Sequence, residues 1–274
     1  MKLTAKTLIL DLLLASDGRP LSARDAIVAA ALFGISENTV RVALARLSTD
    51  SLLEGAGRGC YHLGPLAREL AGDVASWRTA EQRMRPWSGD YLAVVSAALG
   101  RSDRTALRRR ERALQLLGFR ELEKGLHVRP NNIESNVEAV RRRLYGLGLE
   151  ASARMFVAGQ FEAASVTQIH ALWDGAALNG AYHQLSQQLE AWLLRAGELE
   201  PEVAARESFL LGSRAIRQVV HDPLLPAPLV DTEARQAFVA CVRRFDQAGQ
   251  QIWQALHRGP HTALPAVSLN PVHH

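Results

Sequence analysis

The sequence predicts an α+β protein, and three features of its apolar pattern lead to this fold class. Apolar residues recur at helical spacing over residues 4–48. From Tyr91 to Ala158, short apolar runs typical of strands alternate with helical stretches. After Ser165 the pattern is helical, apart from a proline-rich break at 222–228. Because 274 residues exceed the usual size of one domain, we expect several folding units.

Composition is that of an ordinary globular protein. Hydrophobic residues make up 47% of the chain and charged residues 22%, which excludes global disorder. The net charge of +4 permits a polyanionic partner. Cys60 and Cys241 match neither metal nor disulfide spacing and favour a reducing compartment. No segment reaches the roughly 20 apolar residues of a membrane span, so we expect a cytoplasmic protein.

Three helices are predicted before residue 50. The first runs from Thr4 to Ala15, and a turn at Gly18 follows it. Ser22 caps the second helix, which continues to about Leu32. The glycine-containing turn 33–36 then leads to Ser36, which caps the third helix. Two helices joined by such a turn form a helix-turn-helix.

A β-hairpin is predicted directly after the third helix. Two short apolar runs between Leu52 and Leu63 surround a glycine-rich tip that carries Arg58. A helix-turn-helix followed by such a hairpin is a winged helix-turn-helix, which we assign to residues 1–64. A connector helix is expected from Pro65 to about Met84, within residues 65–86.

A ferredoxin-like domain is predicted over residues 87–164. Strands and helices alternate there in the order βαββαβ, which indicates helices on one face of a small antiparallel sheet. The predicted elements are, in order, Tyr91 to Ser96, Arg104 to Leu117, Phe119 to Leu122, Leu126 to Val128, Ile133 to Leu144 and Ala153 to Ala158.

An all-α C-terminal domain is predicted over residues 165–259, and a tail over 260–274. The proline-rich segment 222–228 separates the second helical block from the third. The blocks are Val166 to Ala196, Pro201 to Val220 and Thr232 to His257.

The third helix carries residues suited to contact with DNA. Val40, Leu44 and Leu47 share one face by helical periodicity, so the opposite face is exposed. In the major groove, Asn can pair with adenine and Arg with guanine, while Arg can also neutralise phosphate. Small side chains on that face allow close approach to the bases. The predicted DNA-binding residues are Ser36, Asn38, Thr39, Arg41, Val42, Ala45, Arg46 and, at the wing tip, Arg58.

Arginine runs mark the two predicted helices of the middle domain. They lie at 108–110 with Arg112, and at 141–143. A solvated helix face explains such runs; the alternatives are a phosphate-bearing effector such as an acyl-coenzyme A, or contact with the DNA backbone. Arg108, Arg112 and Arg141 are therefore candidates for effector binding.

Catalytic signatures are not evident in the sequence. It contains no Walker-type loop, no paired histidines with a glutamate on a helix, and no Gly-x-Ser-x-Gly elbow. We therefore expect no enzyme activity, no metal and no cofactor. One alternative is a metal-dependent nuclease using Asp90 and Asp103, with the winged helix as its targeting module. Another is a winged-helix scaffold for protein interactions.

Several segments, in this order, resemble the PaaX-like regulators, which are named for the repressor of phenylacetate degradation. The resemblance extends to about Trp253. The matching segments are 33–47 (FGISENTVRVALARL), 87–95 (WSGDYLAVV), Leu107-Arg near Leu117-Gly-Phe, 126–132 (LHVRPNN), Trp173-Asp174 and 220–226 (VHDPLLP).

The resemblance implies a homodimeric repressor that binds double-stranded DNA and is released by an acyl-coenzyme A, as the type member is by phenylacetyl-coenzyme A. It also implies the three domains expected above. The chain departs from the family at the wing, which has fewer basic residues, and around Asp222, where the customary Trp-Pro-Gly is missing. We therefore predict a sequence-specific transcriptional regulator, a dimeric repressor modulated by an acyl-coenzyme A or an aromatic acid.

Overall fold

The computed structural model describes residues 3–16, 18–65, 67–68, 77–97, 99–100 and 102–258. These residues form helices and two antiparallel sheets, which confirms the α+β class. The N-terminal part (residues 3–65) contains α1 (Ala5–Ala15), β1 (Leu21–Ser22), α2 (Ala23–Ala31), α3 (Glu37–Thr49), β2 (Leu53–Gly55) and β3 (Cys60–Leu63).

The remaining elements follow a 3-10 helix at Trp77–Arg83. The middle part contains β4 (Tyr91–Val95), α4 (Arg104–Leu116), β5 (Arg120–Glu123), β6 (Leu126–Pro130), α5 (Val137–Leu147) and β7 (Arg154–Ala158). The C-terminal part contains α6 (Ala163–His170), α7 (Gly175–Arg195), a 3-10 turn (Ala196–Glu198), α8 (Pro201–Val220) and α9 (Thr232–Arg258). None of the described helices is both long and apolar enough to cross a lipid bilayer.

Hydroxyl caps set the starts of the first three helices, as the sequence predicts. The hydroxyls of Thr4, Ser22 and Ser36 accept hydrogen bonds from the backbone amides three residues ahead, at 3.2, 3.0 and 3.3 Å. β3 then pairs antiparallel with both β1 and β2. The apolar faces of α1, α2 and α3 enclose one buried cluster, which fixes the orientation of α3.

The predicted connector helix lies largely outside the described residues. From Trp77 to Arg83 the chain is a 3-10 helix, whereas the sequence predicts a continuous helical stretch to Met84. Trp77 is buried in the C-terminal core, and Arg78 forms a salt bridge of 2.6 Å with Asp246 of α9. We infer that these tertiary contacts determine the local conformation.

The four-stranded sheet has the strand order β5-β6-β4-β7, with every neighbouring pair antiparallel. Leu92 and Val94 of β4 face the cluster formed with α4 and α5. Tyr91 and Ala93 face the core of the C-terminal helices. The sequence predicts helices on one face only, but this strand is apolar on both faces, and both are covered.

Two predicted helix boundaries are wrong. α5 begins at Val137 rather than Ile133, because the side chain of Asn136 caps it and Ile133 forms a bridge with Met84. The block predicted from Val166 to Ala196 is two helices, α6 and α7. The break lies at Asp174, whose carboxylate accepts a hydrogen bond of 2.8 Å from the amide of Ala177.

Candidate nucleic-acid interface

α3 presents a polar face to solvent because its apolar residues are buried in the N-terminal core. Val40, Leu44 and Leu47 are at most 3% exposed. The opposite face is polar except at small side chains such as Val42, which is 41% exposed. The other predicted contact residues on this face are exposed as well: Ser36, Asn38, Thr39, Arg41, Ala45 and Arg46.

The start of α3 is organised by two hydroxyl groups. Ser36 caps the helix, and its hydroxyl lies 2.8 Å from that of Thr39. Both hydroxyls are thus committed to the helix start. The remaining amides of the first turn, at the positive end of the helix dipole, can donate hydrogen bonds to a phosphate oxygen.

The two arginines of α3 differ in their surroundings. Arg41 donates to the carboxylate of Glu37 one turn earlier, at 2.8 Å from Nε and 2.6 Å from Nη2. An exposed pair of this kind contributes about 0.3–0.5 kcal/mol, so DNA can displace it at little cost. Arg46 lies exposed in the last turn and forms no salt bridge within the described residues. Arg46 is therefore the cation more available to a polyanion.

The β2–β3 tip carries one exposed cation, Arg58, between two glycines. Gly57 and Gly59 have φ of +115° and +71°, conformations that favour glycine. The carbonyl of Gly59 accepts a hydrogen bond of 2.8 Å from the amide of Ala23. This bond ties the tip to the first turn of α2.

Arg24 is a cation at this junction that the sequence-based set omits. It is exposed in the first turn of α2, immediately after the residue whose amide binds the β2–β3 tip. The sequence alone could have identified Arg24, because it lies two residues after the predicted cap Ser22. In a helix-turn-helix, the helix before the recognition helix lies against the DNA backbone, so a cation in its first turn can contact phosphate.

Two acidic residues near α2 and the tip have partners. Glu54 forms a salt bridge of 2.7 Å with Arg68, and the carboxylate of Asp25 accepts a hydrogen bond of 2.7 Å from Ser22. Near α3, the tip and α2, the exposed cations Arg46, Arg58 and Arg24 form no salt bridge within the described residues.

The candidate effector residues are dispersed over two helices. Arg108 and Arg112 are exposed on α4. Arg141 of α5 pairs with Glu138 one turn earlier and also donates to the carbonyl of Met155. Within the described residues, no hydrogen bond or salt bridge joins the three. The neighbouring Arg110 is buried and paired with Glu150, so part of this arginine run is structural.

Asp90 and Asp103 have separate structural roles. The carboxylate of Asp103 caps α4, accepting from the amides of Thr105 and Ala106 at 2.8 and 3.2 Å. Asp90 accepts hydrogen bonds of 2.6 Å from Ser88 and Asn131. Burial raises the pKa of Asp90, but these hydrogen bonds outweigh it and hold the pKa below its ordinary value.

Nothing in this geometry favours a nuclease. In the described ranges, no group of three or more His, Cys, Asp or Glu side chains is placed to hold a metal ion. Each of the two carboxylates that the nuclease alternative requires is engaged in local hydrogen bonds.

Two of the segments that carry the family resemblance, 126–132 and 220–226, form a buried polar network between the sheet and the C-terminal helices. Arg129 donates to Asn132 at 2.8 Å and to Pro130 O at 2.9 Å. Asn132 in turn donates to the carbonyl of Leu224 at 2.7 Å. Burial lowers the pKa of Arg129 to about 9. The network joins β6 to the segment that precedes α9.

Two further bonds extend this network. The hydroxyl of Tyr182 donates to Asp222, a carboxyl whose pKa is raised by burial. Trp173 Nε1 donates to the carbonyl of Gly118 at 3.1 Å. Gly118 has φ of +76°, and a Cβ there would lie 2.9 Å from Pro223, so close packing requires glycine. These segments hold the sheet and the C-terminal helices together.

Comparison with known protein families identifies a match in the C-terminal part of the chain. Residues 173–255 match the family model described as the PaaX-like protein C-terminal domain. The resemblance predicted from the sequence is confirmed over this segment, and it indicates a transcriptional regulator.

A solved structure supports the fold over nearly the whole chain. The uncharacterized protein Rv0674 from Mycobacterium tuberculosis is 24% identical in sequence, with a TM-score of 0.64. The alignment covers 93% of this chain and 100% of that one. At this identity the likeness shows a shared fold. No functionally curated protein matched the chain.

Proposed function

We propose that this chain is a sequence-specific DNA-binding transcriptional regulator, whose residues 1–64 form a winged helix-turn-helix module. The observation that carries the proposal is the exposed face of α3. It combines one cation without a salt bridge, Arg46, with the small side chains of Val42 and Ala45 on a helix anchored by its buried face. Such a face suits a major groove, in which arginine can read guanine.

The remaining contacts follow from this placement of α3. Arg58 at the wing tip and Arg24 at the start of α2 are positioned to reach phosphates beside the groove. Contacts of this kind set register without reading sequence. Because the wing carries a single cation, we propose that specificity depends mainly on α3.

We further propose that residues 87–164 form a ferredoxin-like domain and that residues 165–259 form a helical domain. The sheet order β5-β6-β4-β7 and the element order βαββαβ support the first assignment. The protein is a cytoplasmic repressor in this proposal, and an acyl-coenzyme A or an aromatic acid modulates it.

The proposed active form is a homodimer. Two-fold symmetric regulators place two recognition helices on half-sites about 34 Å apart. β7 is an edge strand, and its Phe156 and Val157 are each 47% exposed. An antiparallel edge with apolar side chains can pair with its own copy across a two-fold axis. Sedimentation measures the oligomeric state and tests this surface. The wild type is expected to be a dimer and the Val157→Lys variant a monomer.

Selection of binding sites from random double-stranded DNA by the purified full chain tests the proposed function. We expect enrichment of an inverted repeat whose half-sites are about 10 base pairs apart, centre to centre. A variant with both Arg41→Ala and Arg46→Ala is expected to enrich no sequence. The matched control, Arg206→Ala with Arg214→Ala, changes exposed arginines of α8 and is expected to select the wild-type site. Failure of the wild type to enrich any sequence would contradict the proposal.

A further inference from the structure

A cavity of about 530 Å³ lies between the N-terminal part and the C-terminal helices. Its walls come from α1 and the turn after it, the 3-10 helix at Trp77–Arg83, α8 and α9. The volume falls within the range of about 300–1,000 Å³ found for small-molecule sites, which often lie between domains. The cavity is thus large enough for a small organic molecule.

One part of the cavity wall is aromatic. Trp77, Phe209, Phe245 and Trp253 line it, and Phe209 and Trp253 pack edge to face with ring centroids 6.3 Å apart. Aromatic walls bind planar apolar ligands through burial and ring packing. This part of the wall therefore favours a ligand with an aromatic body.

Charged side chains from α1 and α8 contribute to the polar part of the wall. Asp11 of α1 and Arg217 of α8 both line the cavity. Burial raises the pKa of the Asp11 carboxyl, and the charge of Arg217 opposes this shift. No salt bridge within 4.0 Å joins these two side chains among the described residues. A ligand carboxylate can thus accept hydrogen bonds from the guanidinium of Arg217.

The other arginines and aspartates of the wall have partners within the protein; Arg19, for example, donates from Nε to the carbonyl of Ser16 at 3.1 Å. Arg78 is paired with Asp246 at 2.6 Å, and Asp25 accepts a hydrogen bond from Ser22. The three phosphates of a coenzyme A would require several available cations. The polar part of this wall instead suits a ligand with a single negative charge.

We propose that this cavity is a binding site for an aromatic carboxylic acid, with its ring among the aromatic side chains and its carboxylate on Arg217. The assignment names a place and a ligand class for the effector of the proposed regulator. The site itself does not depend on DNA binding, whereas its regulatory role rests on the function proposed above.

Phe209 links the cavity to the recognition helix. Its ring lines the cavity and packs against that of Phe33, with centroids 5.3 Å apart. Phe33 belongs to the turn that leads into the cap of α3. A ligand that binds more tightly when Phe209 is displaced favours the displaced position of this ring. Because Phe209 packs against Phe33, the turn that contains Phe33 moves with it, and so does α3. Occupancy of the cavity is therefore coupled to DNA affinity.

Calorimetric titration with 2-naphthoate, and with its neutral analogue 2-naphthamide, tests the site without DNA. We expect one molecule of naphthoate per chain and at least about tenfold weaker binding of the amide, because a charge-assisted hydrogen bond is lost. Arg217→Gln should weaken naphthoate to the level of the amide and leave the amide unchanged. The control Arg214→Gln, whose guanidinium instead faces Gln188 of α7, should bind both ligands as the wild type does.

A cavity-filling variant locates the site. Ser213 lines the cavity on α8, so Ser213→Trp should abolish binding of both compounds while the protein keeps its circular-dichroism spectrum. Should this variant misfold, the wild type gives the same information. Naphthoate bound in the cavity is expected to quench the fluorescence of Trp77 and Trp253, which line it. Absence of naphthoate binding, or undiminished binding by folded Ser213→Trp, overturns the site.

The regulatory part has a separate test. Naphthoate at saturation is expected to change the affinity of the wild type for its selected DNA site at least fivefold. Phe33→Leu removes the ring contact with Phe209 but leaves the cavity wall unchanged, so it is expected to bind naphthoate and to lose this change. Unchanged DNA affinity of naphthoate-bound wild type overturns the coupling and leaves both the site and DNA binding standing. If no DNA site exists, the proposed function fails while calorimetry still decides the site.

Discussion

Replacement of Arg46 by alanine should remove the largest single contribution of an α3 side chain to DNA affinity. Arg46 is exposed and forms no salt bridge in the described part of the chain, so its charge is fully available. A bidentate contact to guanine contributes about 1–3 kcal/mol, which corresponds to a loss of roughly 5- to 150-fold in affinity. Arg41 must first leave Glu37, so the same contact there is weaker by about 0.3–0.5 kcal/mol.

Fluorescence anisotropy with the selected DNA site measures both effects. The titrations use the matched site and a site with one guanine replaced, each at two salt concentrations. A base contact predicts that Arg46→Ala loses discrimination between the two sites. A phosphate contact predicts an equal loss on both, with the salt slope reduced by about 1.

A stability control separates these outcomes from unfolding. Arg46 lies in the last turn of α3, where a cation contributes about 0.3–1 kcal/mol through the helix dipole. Thermal denaturation should therefore show only a small decrease in stability. Wild-type affinity for both DNA sites in the folded Arg46→Ala variant would refute the assignment of α3 as the recognition helix.

Three further predictions concern stability, and chemical denaturation measures all of them. Gly118→Ala should destabilise the fold by about 1 kcal/mol or more, because Gly118 has a positive φ and a Cβ there would contact Pro223. The control Gly146→Ala should stabilise the fold, since a Cβ there meets no atom within 4 Å. Equal effects of the two substitutions would contradict this prediction. Tyr182→Phe should cost about 1–3 kcal/mol because Oδ2 of the buried Asp222 loses its donor, while Oδ1 keeps the amide of Leu224. A neutral effect would contradict this role of Tyr182. The hydrogen bond from Arg110 lowers the pKa of Glu150, so the pair stabilises the fold above the ordinary pKa of 4.5, and this contribution is lost as pH falls through the lowered value. Glu150→Gln should weaken this acid dependence, and an unchanged pH profile would count against the pair.

Local chemistry explains which parts of the fold the sequence predicts. The caps Thr4, Ser22 and Ser36 act within one turn of the chain, so residue type and apolar spacing suffice to predict α1, α2 and α3. The exposed face of α3 follows from the same periodicity. The ion pair between Glu37 and Arg41 is also local, since the two residues are one helical turn apart.

Each incorrect boundary combines a local cap, Asn136 or Asp174, with bonds from nearby residues to distant parts of the chain. Trp173 interrupts a predicted helix and donates to the carbonyl of Gly118, which lies 55 residues earlier. Asn132 precedes α5 and donates to the carbonyl of Leu224, 92 residues later. No pattern within a short window contains such partners, so tertiary contacts override the local preference there.

The family segments of the middle and C-terminal parts differ in place from the residues that we propose set specificity. The segments around Arg129, Trp173 and Asp222 are buried where the sheet meets the C-terminal helices, so packing and hydrogen bonding constrain them. In our proposal α3 and the cavity select DNA and ligand, and neither contains a side chain of this buried network. The cavity brings together Asp11 and Arg217, which are distant in the sequence and belong to no shared motif. The class of effector is therefore better inferred from the charges and rings of the cavity wall than from the order of the family segments.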